Sequence, residues 1–322
     1  MTSPESAHPG LSHSGRVRFA TFNVLHGRPM VDGRPVSVPA AGGPEAPLVR
    51  AVASLDADVL ALQELDRLQE RSGGVDQAAV AAAGSGARHW RYASAFHGTA
   101  KAGGGWIPEP SEPGLRVYGP GEADAIGGVP SHGIALLSRL PVRLWRARRL
   151  APAPLPMPLR TPGRRGLTVA RDQPRAALAA VLEGPRGPFT VVALHLSFVP
   201  GWNIRQLLTV RAWIADLPRP QVVLGDFNLT GVLPRAVLDA PGPTGRRTGL
   251  RTGLRRSRQG NTPPLPRGWR DLARTPTYPA HRPLVQFDHV LATGIEATTA
   301  STAHTPRTAI SDHRPLVVDL SL

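Results

Sequence analysis

The chain has 322 residues, of which 41% are hydrophobic, and this content is sufficient for a substantial core. It contains no cysteine, so disulfides and thiolate metal sites are excluded. The 38 Lys and Arg residues against 23 Asp and Glu residues give a net charge of +15, and Lys101 is the one basic residue that is not Arg.

Two origins of the arginine excess stay open. Arg binds phosphate groups bidentately, so the first is an anionic partner. The second is a GC-rich genome, since Arg, Ala, Gly and Pro all have GC-rich codons. The first residues lack the apolar segment of a signal peptide, and no apolar run has membrane-spanning length. We therefore expect a cytoplasmic protein without a membrane segment.

The first part of the chain predicts a strand, a helix and a second strand. Val17 to Leu25 (VRFATFNVL) is rich in strand-forming residues and carries Asn23 near its end. Ala46 to Leu55 places apolar residues on one helical face, and Asp58 to Glu64 (DVLALQE) is typical of a buried strand. Such a crossover favours parallel neighbours in one sheet, so we expect Asn23 and Glu64 to lie close together.

The middle of the chain is less regular. Residues 71 to 130 are dense in Gly, and we predict loops with short elements there. A strand pattern returns at Ser131 to Ser138, where His132 either faces a site or caps the strand. Pro174 to Leu182 and Phe189 to Leu196 predict a hairpin whose second strand ends in His195. Asn203 is predicted to cap the following helix.

Gln221 to Thr230 (QVVLGDFNLT) combines a buried-strand pattern with polar residues at its end. Gly225 ends the apolar run, and Asp226 and Asn228 follow. Two residues apart in an extended segment, these side chains point the same way and suit a hydrated cation and a phosphate. An Asx-rich turn is the structural alternative for the pair.

Residues 241 to 270 differ from the rest, because they contain eight Arg, no acid and a tandem TGLR repeat. We predict a basic surface insertion there, which is either a phosphate-binding arm or a solvated low-complexity loop. Val285 to Leu291 and Arg314 to Leu320 are strand-like, and Asp312 and His313 precede the second of them.

Polar residues thus recur at the ends of strand-like runs, and the set is Asn23, Glu64, His195, Asp226, Asn228, Asp288, Asp312 and His313. Hard oxygen ligands favour Mg²⁺ or Mn²⁺. Such a site suits hydrolysis of phosphate esters, in which a cation neutralises phosphate oxygens and a carboxylate orients water.

Six short motifs occur in order: FN at 22–23, LQE at 62–64, HLS at 195–197, GDFN at 225–228, FDHV at 287–290 and SDH at 311–313. This series resembles the deoxyribonuclease-I-like endonuclease/exonuclease/phosphatase superfamily. The resemblance implies a four-layer α/β sandwich, in which two mostly antiparallel sheets pack face to face and are flanked by helices. It also implies a single domain over residues 16–322, and we expect residues 1–15 to form a disordered tail.

The resemblance further implies a role for each motif. Asn23, Glu64 and Asp312 would bind Mg²⁺ or Mn²⁺. Asp226 would orient or deprotonate the attacking water, and Asn228 would contact phosphate. His195 would act on the phosphate or the leaving group. His313, supported by Asp288, would stabilise the pentacovalent transition state.

Proteins that this chain resembles cleave DNA, RNA, lipid head groups or inositol phosphates. The net positive charge favours nucleic acid as the substrate of a monomeric, metal-dependent phosphodiesterase. The alternative is a phosphatase or phosphodiesterase acting on a small or lipid-derived ester such as a phosphoinositide. A non-catalytic nucleic-acid-binding module is a second alternative, which the filled catalytic positions disfavour.

Overall fold

The computed structural model describes residues 15–37, 42–101, 105–112, 114–121, 128–159, 168–241, 268–296, 299 and 301–322. Within these ranges the strands are β1 (Arg16–Asn23), β2 (Met30–Val31), β3 (Arg34–Pro35), β4 (Val59–Arg67), β5 (His89–Ala100), β6 (Trp106–Pro108), β7 (Arg116–Tyr118), β8 (Ser131–Ser138), β9 (Val142–Leu150), β10 (Met157–Leu159), β11 (Thr168–Ala170), β12 (Arg175–Gly184), β13 (Gly187–His195), β14 (Gln221–Asp226), β15 (Arg270–Asp271), β16 (Asp288–Thr293), β17 (Ser301–His304) and β18 (Leu316–Ser321). The helices are α1 (Ala46–Leu55), α2 (Gln77–Ser85), α3 (Trp202–Trp213) and α4 (Leu233–Asp239). None of these helices is long and apolar enough to cross a membrane.

Two large sheets contain most of the strands. The first has the order β17-β18-β1-β4-β8-β5-β6, with β7 also paired to β5, and the second has the order β15-β16-β14-β13-β12-β9. Neighbours are antiparallel except that β1 is parallel to β4 and β13 is parallel to β14. Helix α1 connects the first parallel pair and α3 connects the second. Each sheet therefore contains one parallel pair whose carboxyl ends reach the same edge.

The alternation of β1 shows how the layers form. Val17 and Phe19 point into the core between the sheets, whereas Ala20 and Phe22 point toward the helices on the outer face. Phe19 meets Phe189 of the second sheet in an edge-to-face contact with ring centroids 6.0 Å apart. Helices α1 and α2 cover the first sheet, and α3 and α4 cover the second. The predicted four-layer sandwich of mostly antiparallel sheets is confirmed.

Three predictions of local structure are wrong. Residues 71–130 were predicted to be loops with short elements, but they contain helix α2 and the twelve-residue strand β5. The Ala-rich sequence of α2 gives little contrast between its faces, which hides the helical period. The strand predicted to stop at Glu64 continues to Arg67. Asn203 is not the cap of α3, because the cap is Gly201 and Asn203 lies in the first turn.

Two predicted segments fall outside the described residues. Of the N-terminal tail predicted at 1–15, only Gly15 is described. Of the basic insertion predicted at 241–270, residues 242–267 are outside the described ranges.

We expect Gly225→Ala to destabilise the fold, because Gly225 has φ +151° and an added Cβ would collide with the carbonyl oxygen of Leu194 in β13. Gly187→Ala is the matched control, since Gly187 has φ +118° but open space around it. The collision should lower the unfolding free energy by about 1–3 kcal/mol more than the strained backbone alone does. Urea unfolding of both variants measures this difference, and equal losses would contradict the close approach of the strands.

Candidate active site

The predicted site residues gather at the edge where the parallel pairs end. Asn23 ends β1, and His195 and Asp226 end β13 and β14 at paired positions. Asp288 begins β16 directly opposite Asp226. The strand ends thus bring residues that are far apart in sequence to one place.

A β-bulge presents Glu64 to this edge. The pairing of β4 with β8 shifts between Gln63 and Leu65, so Glu64 has no partner in the ladder. Its φ of +57° lies in the left-handed region, which is unusual for a residue other than Gly. Bulges near active sites commonly redirect a side chain, and this one brings the Glu64 carboxylate to Asn23.

The Asn23 amide joins the two sheets. Its Nδ2 donates to Glu64 Oε1 of its own sheet and to Asp226 Oδ2 of the other, both at 3.1 Å. Its Oδ1 accepts from the Leu25 backbone N–H at 3.2 Å. The expected proximity of Asn23 and Glu64 is confirmed, but the Asn23 oxygen is turned away from the carboxylates. Coordination of a cation by that oxygen would require the amide to rotate.

Asp226 is the buried centre of the cluster. Its Oδ1 accepts from the Asn228 backbone N–H at 2.9 Å, and its Oδ2 lies 3.6 Å from His195 Nε2 and 4.0 Å from His313 Nε2. Burial, reinforced by the negative charge of Asp288, raises the pKa of Asp226 to about 7. A carboxyl group with such a pKa is suited to accept a proton at neutral pH.

Asp288 and His313 form a closed pair. His313 Nδ1 lies 2.8 Å from Asp288 Oδ2. Burial alone would lower the pKa of His313, but the charge and hydrogen bond of Asp288, with the charge of Asp226, raise it to about 10. The imidazole is therefore cationic at neutral pH. The Ser311 hydroxyl holds the backbone of His313 in place, because it donates to the Asn23 carbonyl at 2.6 Å and accepts from the His313 backbone N–H at 3.0 Å.

Asp312 lies at the side of the cluster next to Glu64. Burial raises the pKa of Asp312, and the charge of Glu64 adds to this effect. Its backbone carbonyl accepts from the Ala280 N–H at 2.6 Å, which holds the turn before β18. A small cavity of about 130 Å³ borders Asp312 on the side that faces Arg307 and Arg314.

Asn228 and His195 sit at the start of two loops. Asn228 has φ +48°, and its Nδ2 donates to the Leu196 carbonyl at 3.0 Å, so part of its amide has a structural role. Burial and the neighbouring charge of Arg175 lower the pKa of His195 well below its usual value. His195 is consequently neutral.

Arg175 was not predicted as a site residue. Its Nη1 lies 3.1 Å from His195 Nδ1, and its buried Nε has no hydrogen-bond partner among the described residues. Its only signal in the sequence is its place at the start of the strand that pairs with the His195 strand. An unpaired guanidinium edge beside the carboxylates suits a phosphate group.

A second polar cluster adjoins the site and also escaped prediction. The Asp66 carboxylate has a fully buried side chain and accepts two hydrogen bonds from Arg71, each 2.8 Å long. Its other neighbour is His132, whose Nδ1 lies 2.8 Å away. His132 therefore faces a site instead of only capping its strand. Arg71 and His132 line a cleft of about 790 Å³, whose described lining also includes Glu64 and His195.

Two separate sets of residues in the cluster could hold a metal ion. The predicted set is Asn23, Glu64 and Asp312. Among the described residues, Asp226, Asp288 and His313 have ligand atoms within 4.8 Å of one another. The hydrogen bond with His313 uses Oδ2 of Asp288 and leaves Oδ1 without a partner among the described residues, so this second set also offers a free carboxylate oxygen to a cation.

The electrostatics of the cluster fit a hard divalent ion. Four carboxylates converge there, and those of Asp226 and Asp312 have raised pKa values. The charge of Glu64 acts on Asp312, and carboxylate oxygens of this kind suit Mg²⁺ or Mn²⁺.

Comparison with known proteins decides the family. The sequence model of the Endonuclease/Exonuclease/phosphatase family matches residues 20–313. The chain belongs to this family. The predicted membership is thereby confirmed. Members of the endonuclease/exonuclease/phosphatase family are in general phosphoester hydrolases. A search of curated proteins finds no match to the chain.

Several solved structures share the fold. An endonuclease/exonuclease/phosphatase from Beutenbergia cavernae DSM 12333 is 20% identical, with a TM-score of 0.52 over 95% of this chain and 72% of that one. A family protein from Leptotrichia buccalis C-1013-b is 13% identical, with a TM-score of 0.53 over 95% of this chain and 100% of that one. ANGEL2, described as a 2′,3′-cyclic phosphatase, is 13% identical, with a TM-score of 0.54 over 95% of this chain and 96% of that one.

The ionised Asp66 carboxylate should make the stability of the fold depend on acid pH. Burial alone would raise the pKa of Asp66, but hydrogen bonds from Arg71 and His132 outweigh it and hold the pKa well below its usual value. The carboxylate therefore stabilises the fold above its unfolded pKa of about 3.9, and this contribution is lost as the pH falls further. We expect Asp66→Asn to lower the unfolding free energy at pH 7 by about 1–3 kcal/mol and to flatten its dependence on acid pH.

Asp216→Asn is the control, because Asp216 forms a similar double hydrogen bond with Arg146 but is 48% exposed. Loss of the exposed Asp216 charge should lower the unfolding free energy by less than about 1 kcal/mol. Urea unfolding at several pH values compares the two variants. If both substitutions lowered the unfolding free energy equally, the buried Asp66 cluster would stabilise the fold no more than the exposed Asp216–Arg146 pair does.

Proposed function

We propose that this protein is a divalent-metal-dependent phosphodiesterase that hydrolyses nucleic acid by in-line attack of water. The observation that carries the proposal is the junction of the two sheets, where Glu64, Asp226 and the Asp288–His313 pair meet beside the unpaired edge of Arg175. This arrangement supplies a proton acceptor, a cation for the transition state and a phosphate anchor within one small volume.

Glu64 and Asp312 would hold the metal ion, with Asn23 joining them after its amide rotates. Bound there, Mg²⁺ or Mn²⁺ would act as a Lewis acid on the phosphate oxygens. Asn23 also restrains Glu64 and Asp226 relative to each other, since one amide nitrogen donates to both.

Asp226 would accept the proton of the attacking water. Its pKa of about 7 leaves a substantial ionised fraction at neutral pH, and the Asn228 N–H holds one of its oxygens in place. The protonated His313 would donate a hydrogen bond to the phosphoryl oxygen on which charge develops. Such a preoriented donor stabilises the transition state more than the substrate.

Arg175 and His195 would act on the other side of the phosphate. The free Nε of Arg175 can donate to a phosphate oxygen, and the neutral ring of His195 can donate or accept a proton at the leaving oxygen. Asn228 is proposed to contact the phosphate with the part of its amide that Leu196 does not use.

The charge of the cleft supports a polyanionic substrate. Arg171 and Arg175 line it, together with Arg71, whose charge is paired with Asp66, and Glu64 is the one acid among the described lining residues. With the net charge of +15, this lining favours nucleic acid. ANGEL2, a 2′,3′-cyclic phosphatase, is an example of phosphoester chemistry on this scaffold.

Hydrolysis should require a hard divalent cation, because the carboxylates can position water but cannot replace a Lewis acid. Exhaustive chelation should abolish turnover and Mg²⁺ or Mn²⁺ should restore it, when activity is measured on plasmid, single-stranded DNA, RNA and phosphoinositides. Asp226→Asn is the negative control at every metal concentration. Full activity after removal of metal would refute the metal role, and turnover of phosphoinositides alone would refute the nucleic-acid substrate.

Three substitutions should separate metal binding from transition-state stabilisation. Asp312→Ala is expected to weaken Mn²⁺ binding and turnover together. His313→Ala should lower kcat by about 10²–10³-fold while Mn²⁺ affinity stays near that of the parent, and Asp288→Asn should show a milder loss of the same kind.

Calorimetric titration with Mn²⁺ and steady-state kinetics measure both effects, and Glu64→Gln serves as a second ligand variant. The roles would be reversed if Asp288→Asn and His313→Ala lost the metal while Glu64→Gln and Asp312→Ala retained it. That result would place the ion at Asp226, Asp288 and His313.

A further inference from the structure

One wall of the cleft is aromatic and takes no part in the proposed chemistry. Trp106 of β6 packs edge-to-face on Phe96, with ring centroids 5.0 Å apart, and its ring lies 5.2 Å from that of His132. The Arg71 guanidinium carbon lies 4.8 Å from the centre of the Trp106 ring. These four planar groups all line the cleft that opens from Glu64 and His195.

Arg71 is not placed as a phosphate ligand. Its Nε and Nη2, which form the edge that would grip a phosphate, both donate to Asp66 at 2.8 Å. Asp66 also neutralises its charge. What Arg71 still offers to a ligand is a flat, immobilised group stacked with Trp106, and such groups bind aromatic rings.

Arg175 also lines the cleft and, unlike Arg71, can bind an anion. Its Nε is unpaired among the described residues, and it stands beside His195, where the phosphate is proposed to bind. The cleft therefore has a site for an anion next to a site for a flat apolar group. A nucleotide has this combination, whereas an inositol phosphate has no aromatic ring.

The size of the cleft restricts the form of the substrate. A volume of about 790 Å³ is in the range of pockets for small ligands. Paired bases cannot reach the aromatic wall without leaving the duplex, and unstacking a base requires several kcal/mol. An unpaired strand presents its bases without this penalty.

We propose that Arg71, Trp106, Phe96 and His132 form a nucleobase subsite, which receives the unpaired base of a nucleotide adjacent to the phosphate that is cleaved. This inference rests on the proposed function, because it requires a nucleic-acid substrate. It adds that the enzyme selects single-stranded over double-stranded substrates through contact with a base.

The first test uses the parent protein with Mn²⁺. Its substrates are a short DNA oligomer, the same oligomer with abasic residues around the central phosphate, the corresponding duplex, and the RNA version. Cleavage at the central phosphate should have a kcat/KM roughly tenfold to hundredfold higher for the base-bearing single strands than for the abasic strand, since stacking of a base on an aromatic residue has this weight. The duplex should also be cleaved more slowly than the single strand.

The second test asks whether Trp106 causes the preference for base-bearing over abasic strands. Trp106→Ala should reduce the kcat/KM ratio of base-bearing to abasic oligomer toward one, and Trp106→Phe should retain part of it. Trp145→Ala is the matched control, because Arg91 lies over the Trp145 ring at 5.6 Å but neither residue lines the cleft. This control should keep the parental ratio. Thermal unfolding verifies that each variant is folded.

The outcomes distinguish the two proposals. Cleavage of all oligomers with equal kcat/KM would overturn the nucleobase subsite and leave the phosphodiesterase intact, as would a parental ratio in folded Trp106→Ala. Absence of cleavage of every oligomer, with turnover of a phosphoinositide, would overturn both. If Trp106→Ala does not fold, the comparison of abasic and base-bearing strands by the parent still decides.

Discussion

The site depends on one amide that bridges two sheets. Asn23 Nδ2 donates to Glu64 in its own sheet and to Asp226 in the facing sheet, and Ser311 binds the carbonyl of the same Asn23. Three separate parts of the chain are thereby fixed to the end of β1. The carboxylates can then be held close together although they repel one another, because each is restrained by hydrogen bonds and by buried packing.

The sequence was sufficient to predict the fold, and the eight polar residues that it singled out lie together at one edge of the sheets, where their roles stay a prediction. Buried runs that stop at polar residues indicate strand ends, and a strand–helix–strand order indicates parallel pairing, as found for β1 with β4 and for β13 with β14. The order of six motifs then identified the family. These signals are local or depend only on sequence order, so they can be recognised in the sequence alone.

Other features depend on contacts that no local pattern records. The bulge at Glu64 is set by the pairing of β4 with β8, and the sequence of β4 alone reads as a strand that ends there. Asp66 and Arg71 look like solvated charges, yet Asp66 is buried because β8 places His132 beside it. Arg175 gains its meaning only from its distance to His195. Tertiary neighbours decide these roles.

The contact between Phe19 and Phe189 has a consequence for catalysis. Glu64 belongs to one sheet and Asp226 to the other, so the spacing of these two proposed functional carboxylates is set by the thickness of the apolar layer between the sheets. A smaller side chain in that layer would let the sheets approach or tilt, and the angle between donor and acceptor groups at the rim would change with them. The apolar layer between the sheets therefore sets the geometry of the candidate site as well as the stability of the fold.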